Sequence, residues 1–178
     1  MFPELATERF LLTQVQPDDQ AFLFKGLSDP VTMPHNGVYF STYEETKIQL
    51  EWYERNYNTG TGISWKIISK SSGDKIGVVS VYYYKPEHKK AELGYWILPE
   101  YWNQGIISEV LKTVIKYWQE VKNLHRLEAM VEEENTGSIR VLEKAGFIHE
   151  GTMRDYEIKF GKYINLRMYS LLSDDQTI

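Results

Sequence analysis

There is no cysteine among the 178 residues, which excludes disulfides, thiolate metal sites and a cysteine nucleophile. Any acyl transfer by this chain therefore cannot pass through an S-acyl form of the protein. No stretch approaches the roughly eighteen apolar residues that a membrane-spanning helix needs. The amino terminus, MFPELATERFLL, lacks a basic stretch followed by an apolar run and a small-residue cleavage site, so it does not read as a secretory signal. The expectation is a cytoplasmic protein with no membrane partner. Basic charge is also scarce: 20 Lys and Arg stand against 25 Asp and Glu, a net charge of −5, which argues against direct nucleic-acid binding. The acidic runs Asp18-Asp19, Glu44-Glu45 and Glu132-Glu133-Glu134 suit a cationic partner, and serve equally as a solvated surface. His35, His88, His125 and His149 show neither an i,i+4 pair nor a His-Glu-x-x-His spacing, so no metal is expected. No Gly-x-Ser-x-Gly elbow suggests a serine nucleophile.

What is present fits one domain, residues 1–178, long enough to bury a core without staples. Arg9 to Val15 reads as a strand, and Pro17-Asp18-Asp19 opens a helix to about Leu27. After a polar loop to Phe40, Ser41 and Thr42 each have a Glu three positions on, a doubled capping-box signal. The helix that follows carries Ile48, Trp52, Tyr53 and Tyr57 at helical spacing, as core or cleft wall. Ser64 to Ser69 and Ile76 to Tyr84 are strands joined by a Ser71-Ser72-Gly73-Asp74 hairpin turn. In the strand Lys90 to Leu98, Ala91, Leu93, Tyr95 and Ile97 face one way and Glu92, Gly94 and Trp96 the other. An amphipathic helix spans about Gly105 to Val121, with Ile106, Ile107, Val110, Leu111, Val114, Ile115, Trp118 and Val121 on its apolar stripe. Arg126 to Val131 is a strand and Thr136 to Ala145 a helix. Phe147 to Met153 and Tyr163 to Leu172 close the fold as strands, and a frayed polar tail runs from Ser173 to Ile178. The pattern predicts an α/β (α+β) domain: a mixed, mostly antiparallel sheet with helices on both faces.

Two segments carry the functional signal: residues 91 to 108, AELGYWILPEYWNQGIIS, and residues 133 to 147, EENTGSIRVLEKAGF. The first is a strand, a Pro turn, a polar loop with one glycine and a helix start. Backbone N–H groups at such a junction converge where the helix dipole favours negative charge. Trp102-Asn103-Gln104-Gly105-Ile106-Ile107-Ser108 reads either as a pyrophosphate cradle or as an ordinary turn that Gly105 relieves. It is neither a Walker loop nor a three-glycine dinucleotide fingerprint.

Taken together, the two segments resemble the signature motifs of the GNAT superfamily of N-acetyltransferases. The chain looks most like the branch containing the N-terminal acetyltransferases of bacterial ribosomal proteins. That resemblance runs through Thr7-Glu8-Arg9-Phe10-Leu11-Leu12, Ala91-Glu92-Leu93-Gly94-Tyr95-Trp96, Glu134-Asn135-Thr136-Gly137-Ser138, Leu142-Glu143-Lys144-Ala145-Gly146-Phe147, Glu150-Gly151 and Met153-Arg154. It departs where the family loop has Arg or Gln, here Trp102, and Gly or Ala, here Ile107, whose bulk is expected to shift the fit. Thr13 replaces a usual basic residue and Asn165 a frequent Asp.

The resemblance implies a GNAT-type sheet with a splayed central strand pair and acetyl-CoA as cosubstrate, with no metal. Backbone groups at Ile97 and Leu98 would pair with the pantetheine arm, and a free N–H at either would hold the thioester oxygen. Asn103, Gln104, Gly105, Ile106, Ile107 and Ser108 would bind the pyrophosphate. Asn135 would bond the pantetheine, cap a helix, or do both. The acceptor is implied to be a primary amine, which must lose a proton before it attacks. Glu92 is the first candidate for that base, because Gly94 beside it leaves room for substrate; Glu100 is the second, and Glu92 also reads as an exposed charge. Ser138 is the implied donor to the leaving thiolate, with a tyrosine such as Tyr169 as substitute. The acceptor amine is expected to be a protein N-terminus, with a polyamine, amino acid or antibiotic as the rival; a silent acyl-CoA-binding module is a third reading. The superfamily also allows a homodimer.

Overall fold

The computed structural model describes residues 1–32, 34 and 37–175. His35 and tail residues 176–178 lie outside the described residues. The elements run β1 (Leu5–Ala6), β2 (Phe10–Gln14), α1 (Gln20–Leu27), α2 (Thr46–Asn58), β3 (Ile63–Ser69), β4 (Lys75–Lys85), β5 (Lys90–Ile97), α3 (Ile106–Glu120), β6 (Arg126–Glu132), α4 (Thr136–Lys144), β7 (Ile148–Lys159) and β8 (Lys162–Leu172). The strands form one sheet in the order β1-β2-β3-β4-β5-β6-β8-β7, with β5–β6 as its parallel pair and antiparallel neighbours elsewhere.

Alternation along the strands separates two cores. On one face, Trp65, Ile67, Ala91, Leu93, Leu127 and Ala129 pack with α3 and α4. On the other, Leu23, Leu27 and Tyr53 of α1 and α2 close over Val78 and Trp96. The α3 stripe is buried from Ile106 to Trp118, as its period requires, and each fully buried aliphatic side chain there contributes about 1.5–3 kcal/mol. Val121, expected on the stripe, is exposed, because the helix ends at Glu120.

Several expectations shift. Pro17–Asp19 is a 3-10 turn ahead of α1, in which Asp19 Oδ2 accepts the Gln16 N–H at 2.7 Å. Of the doubled capping signal only the Thr42–Glu45 box forms. Thr42 Oγ1 accepts the Glu45 N–H at 3.4 Å, and the Glu45 carboxylate takes the Ser41 and Thr42 N–H groups at 2.9 and 3.1 Å. The helix then starts at Thr46, which leaves Ile48 63% exposed rather than in the core. β7 runs six residues past Met153 as an exposed edge strand whose ladder partner is β8. Ser173, expected to fray, is tied to His125: its N–H donates to the His125 carbonyl at 2.8 Å, and its hydroxyl lies 2.8 Å from Nδ1.

Candidate active site

β5 and β6 pair only at Lys90↔Arg126, Ala91↔Leu127 and Glu92↔Glu128. Beyond that register they part: β5 continues beside β4 as far as Gly77↔Ile97, while β6 stays with β8. The Leu98 N–H donates to the Ile76 carbonyl at 2.9 Å. Antiparallel ladders alternate, so Gly77↔Ile97 is a non-hydrogen-bonded pair, and the Ile97 N–H turns away from β4 into the gap. This corrects the choice between Ile97 and Leu98: Leu98 is buried and its N–H is committed to the sheet, whereas Ile97 offers its N–H outward.

A 3-10 turn, Pro99–Tyr101, leads from β5 into the loop. The Trp102 indole N–H donates back to the Ile97 carbonyl at 3.0 Å, and Gln104 Nε2 donates to the Glu100 carbonyl at 2.9 Å. Asn103 and Gly105 both take positive φ, 59° and 71°, a conformation glycine adopts without penalty. Gly105 is the N-cap of α3, and the first bond back along the helix runs from the Glu109 N–H to the Gly105 carbonyl at 3.1 Å. The N–H groups of Ile106, Ile107 and Ser108 precede that bond and point out of the helix start, at the positive end of its dipole. The Ile107 side chain, expected to disturb this fit, is 5% exposed and packs into the α3 core.

Facing this loop across the gap is the start of α4. Asn135 caps it, with Oδ1 accepting the Ser138 N–H at 3.1 Å. Between the two lies a cleft of about 360 Å3. It brings together Ile97, Asn103, Gln104, Gly105, Ile106, Ile107 and Ser108 on one side with Asn135 and Ser138 on the other. The wall also includes Tyr95, Trp96 and Thr32, which the sequence reading did not assign to the site. For Tyr95 the signal was available, since it shares the Ile97 face of a strand identified as splayed. The Tyr95 hydroxyl donates to the Ser138 carbonyl at 3.4 Å. Burial pushes its pKa up to about 12, with Ser138 pulling slightly the other way.

Glu92 is not in this wall. It sits on the Gly94–Trp96 face at the closed end of the split. Gly94 does not leave the expected room, because a Cβ there would stand 3.0 Å from the Tyr82 ring and 3.3 Å from its hydroxyl. Burial raises the Glu92 pKa, the Glu128 carboxylate raises it further, and Lys90 and Lys85 partly offset both. Glu100 lies outside the cleft as well; it pairs with Lys25 at 2.6 Å, which holds its carboxyl below the usual range and weakens it as a base. Tyr169 is buried, with its hydroxyl on Glu143 Oε1 at 3.2 Å, away from the cleft. Asn165 is structural: its Oδ1 accepts the Asp155 N–H at 2.9 Å and its Nδ2 donates to Glu133 at 3.3 Å. Among the described residues no cluster of His, Asp and Glu could hold a metal ion, and no helix is long and apolar enough to cross a membrane.

Residues 9–148 match the acetyltransferase (GNAT) domain family. The uncharacterized N-acetyltransferase YoaA of Bacillus subtilis is 32% identical over 97% of this chain and 98% of its own. The Escherichia coli ribosomal-protein-serine acetyltransferase is 33% identical over 57% of this chain and 56% of its own. The Escherichia coli spermidine N(1)-acetyltransferase is 30% identical over 56% of this chain and 54% of its own. Among solved structures, a GNAT-family acetyltransferase from Bacillus anthracis superposes with a TM-score of 0.83 and 26% identity, over 97% of this chain and 99% of that one. The chain belongs to the GNAT acetyltransferases, enzymes that take their acetyl group from acetyl-CoA.

Proposed function

We propose that this enzyme transfers acetyl directly from acetyl-CoA to the N-terminal amino group of a protein, in a ternary complex. The observation that carries the reading is the cleft itself. An outward Ile97 N–H, the α3 start and the Asn135–Ser138 turn converge on a gap of about 360 Å3. In this reading the N–H groups of Ile106 to Ser108 receive the pyrophosphate. The pantetheine arm lies between β5 and β6, where Asn135 bonds it. The Ile97 N–H holds the thioester oxygen as negative charge develops on it.

The amine lone pair attacks the thioester carbonyl, a C–N bond forms, and the C–S bond breaks. One proton leaves the amine toward Glu92 through solvent, because the carboxylate stands back from the cleft. The departing thiolate takes the second proton that the nitrogen sheds as the amide forms, relayed through the Ser138 hydroxyl, which ends the step protonated. With no cysteine in the chain, an S-acyl enzyme has no place in this scheme.

The E. coli ribosomal-protein relative supports a protein N-terminus as acceptor. The spermidine relative and the net charge of −5 favour a polyamine as the second reading. Mass spectrometry of a mixed panel, N-terminal peptides against polyamines, separates them. Acetyl added to peptide α-amines supports the first reading; products confined to polyamines would sink it.

A further inference from the structure

In the proposed reading the cleft takes an anionic ligand, yet among the described residues none that lines it is Lys or Arg, and Glu134 adds negative charge. The loop position where the family usually carries Arg or Gln is Trp102, whose indole N–H is spent on Ile97. A permanent positive charge reaches the loop from the other end of the chain. Arg9, between β1 and β2, places its terminal nitrogens 3.3 and 3.2 Å from the Gln104 carbonyl. Its Nε donates to Glu109 Oε2 at 2.6 Å, in the first turn of α3. A Cβ on Gly105 would stand 3.9 Å from Arg9 Nη2.

Glu109 fixes this geometry by also accepting the Thr7 hydroxyl at 2.6 Å and the Arg9 N–H at 2.9 Å. Burial raises the Glu109 pKa, but those bonds outweigh it and hold the carboxyl below its ordinary value, so it stays ionised as the anchor. The guanidinium also lies 4.9 Å from the Phe10 ring centroid. A guanidinium has five N–H donors, and three are used here, which leaves one on each terminal nitrogen. The side chain is 47% exposed, so those two are open to a ligand.

We propose that Arg9 supplies the cationic charge of the anion site at Asn103–Ser108, holding a phosphate of CoA that the loop's own side chains cannot neutralise. The inference rests on the reading that this loop receives the pyrophosphate. Guanidinium is suited to the task because it stays charged and presents paired donors to phosphate oxygens.

The test is calorimetric titration of Arg9→Gln, Arg9→Lys and Glu109→Gln with two probes: CoA, and pantetheine, which lacks the phosphates. Circular dichroism confirms that each variant is folded. Arg9→Gln is expected to weaken CoA about tenfold while leaving pantetheine within about twofold, and Arg9→Lys to recover most of the loss. Glu109→Gln, which keeps one acceptor oxygen for Thr7 and Arg9 and removes only the counter-charge, is expected to bind CoA at least as tightly as the native chain. If Arg9→Gln binds CoA normally, the proposal is wrong. It is also wrong if both probes weaken equally, or if Glu109→Gln loses as much as Arg9→Gln, since Arg9 would then only brace the helix start. A native chain that binds pantetheine but not CoA would overturn the pyrophosphate reading itself, and this proposal with it.

Discussion

Trp102 ties the loop to the end of β5 by donating its indole N–H to the carbonyl of Ile97, at 3.0 Å. The two residues are five positions apart, and the bond fixes the loop against the strand end whose N–H faces the cleft. A residue that departs from the family pattern has thus become a brace.

Replacing Trp102 by Phe keeps the ring and removes this bond. A neutral hydrogen bond contributes about 1 kcal/mol, so CoA affinity should fall roughly fivefold with kcat nearly unchanged. Steady-state kinetics and titration check this; an unaltered dissociation constant would mean that the loop holds its shape without the indole.

In the proposed mechanism Glu92 is the base, and it sets a pH signature. A base works in its ionised form, and burial together with Glu128 raises the Glu92 pKa, so the acid limb of the rate profile should fall above the ordinary carboxylate range. Glu128→Gln removes the like charge and should move that limb to lower pH. Glu92→Gln should cut kcat by roughly a hundredfold while CoA affinity holds. Full turnover with the same limb would assign the proton to another group.

Much of this was legible along the chain, and the misses share a cause. The α3 stripe and the two faces of β5 follow from period, and the β3–β4 hairpin from its Ser71-Ser72-Gly73-Asp74 turn. β1 is two residues long and shows no period. The far half of β7 is polar, exposed and at the sheet edge, where no buried face imposes alternation. In the site, the loop and Asn135–Ser138 were legible through the resemblance of their two segments to the GNAT motifs. The committed Leu98 N–H, the Tyr82 ring over Gly94 and the reach of Arg9 to Gln104 could not, since each is a contact between distant segments.

Ser138 and Tyr95 both line the cleft, and substitution distinguishes their hydroxyls. Ser138→Ala should slow turnover roughly ten- to hundredfold by depriving the leaving thiolate of a donor. Tyr95→Phe should stay within about twofold, because its hydroxyl serves the Ser138 carbonyl. Thiol release measured at saturating acetyl-CoA reads both; the reverse order would make Tyr95 the donor.

Stability has its own titrating group. Asp19 is fully buried and meets Lys66 at 2.6 Å and Lys75 at 2.5 Å. Burial raises its pKa, but the two ammonium groups and the Gln16 N–H overcome that and leave it lowered. A lowered folded pKa means that the carboxylate stabilises the protein above its unfolded pKa of about 3.9, and that this is lost as pH falls through the folded value. Asp19→Ala strands Lys66 in the interior and should cost about 3 kcal/mol in urea unfolding at neutral pH, with the gap to the native protein narrowing in acid. A cost under about 1 kcal/mol would show that water reaches Lys66.

Amide hydrogen exchange with and without saturating acetyl-CoA tests the main-chain grip on the cosubstrate most directly. The account predicts slowed exchange at the N–H groups of Ile97, Ile106, Ile107 and Ser108, with Leu98 already slow in the free protein because its N–H is bonded to Ile76. Unchanged exchange at those four amides, with acetyl-CoA bound, would contradict it.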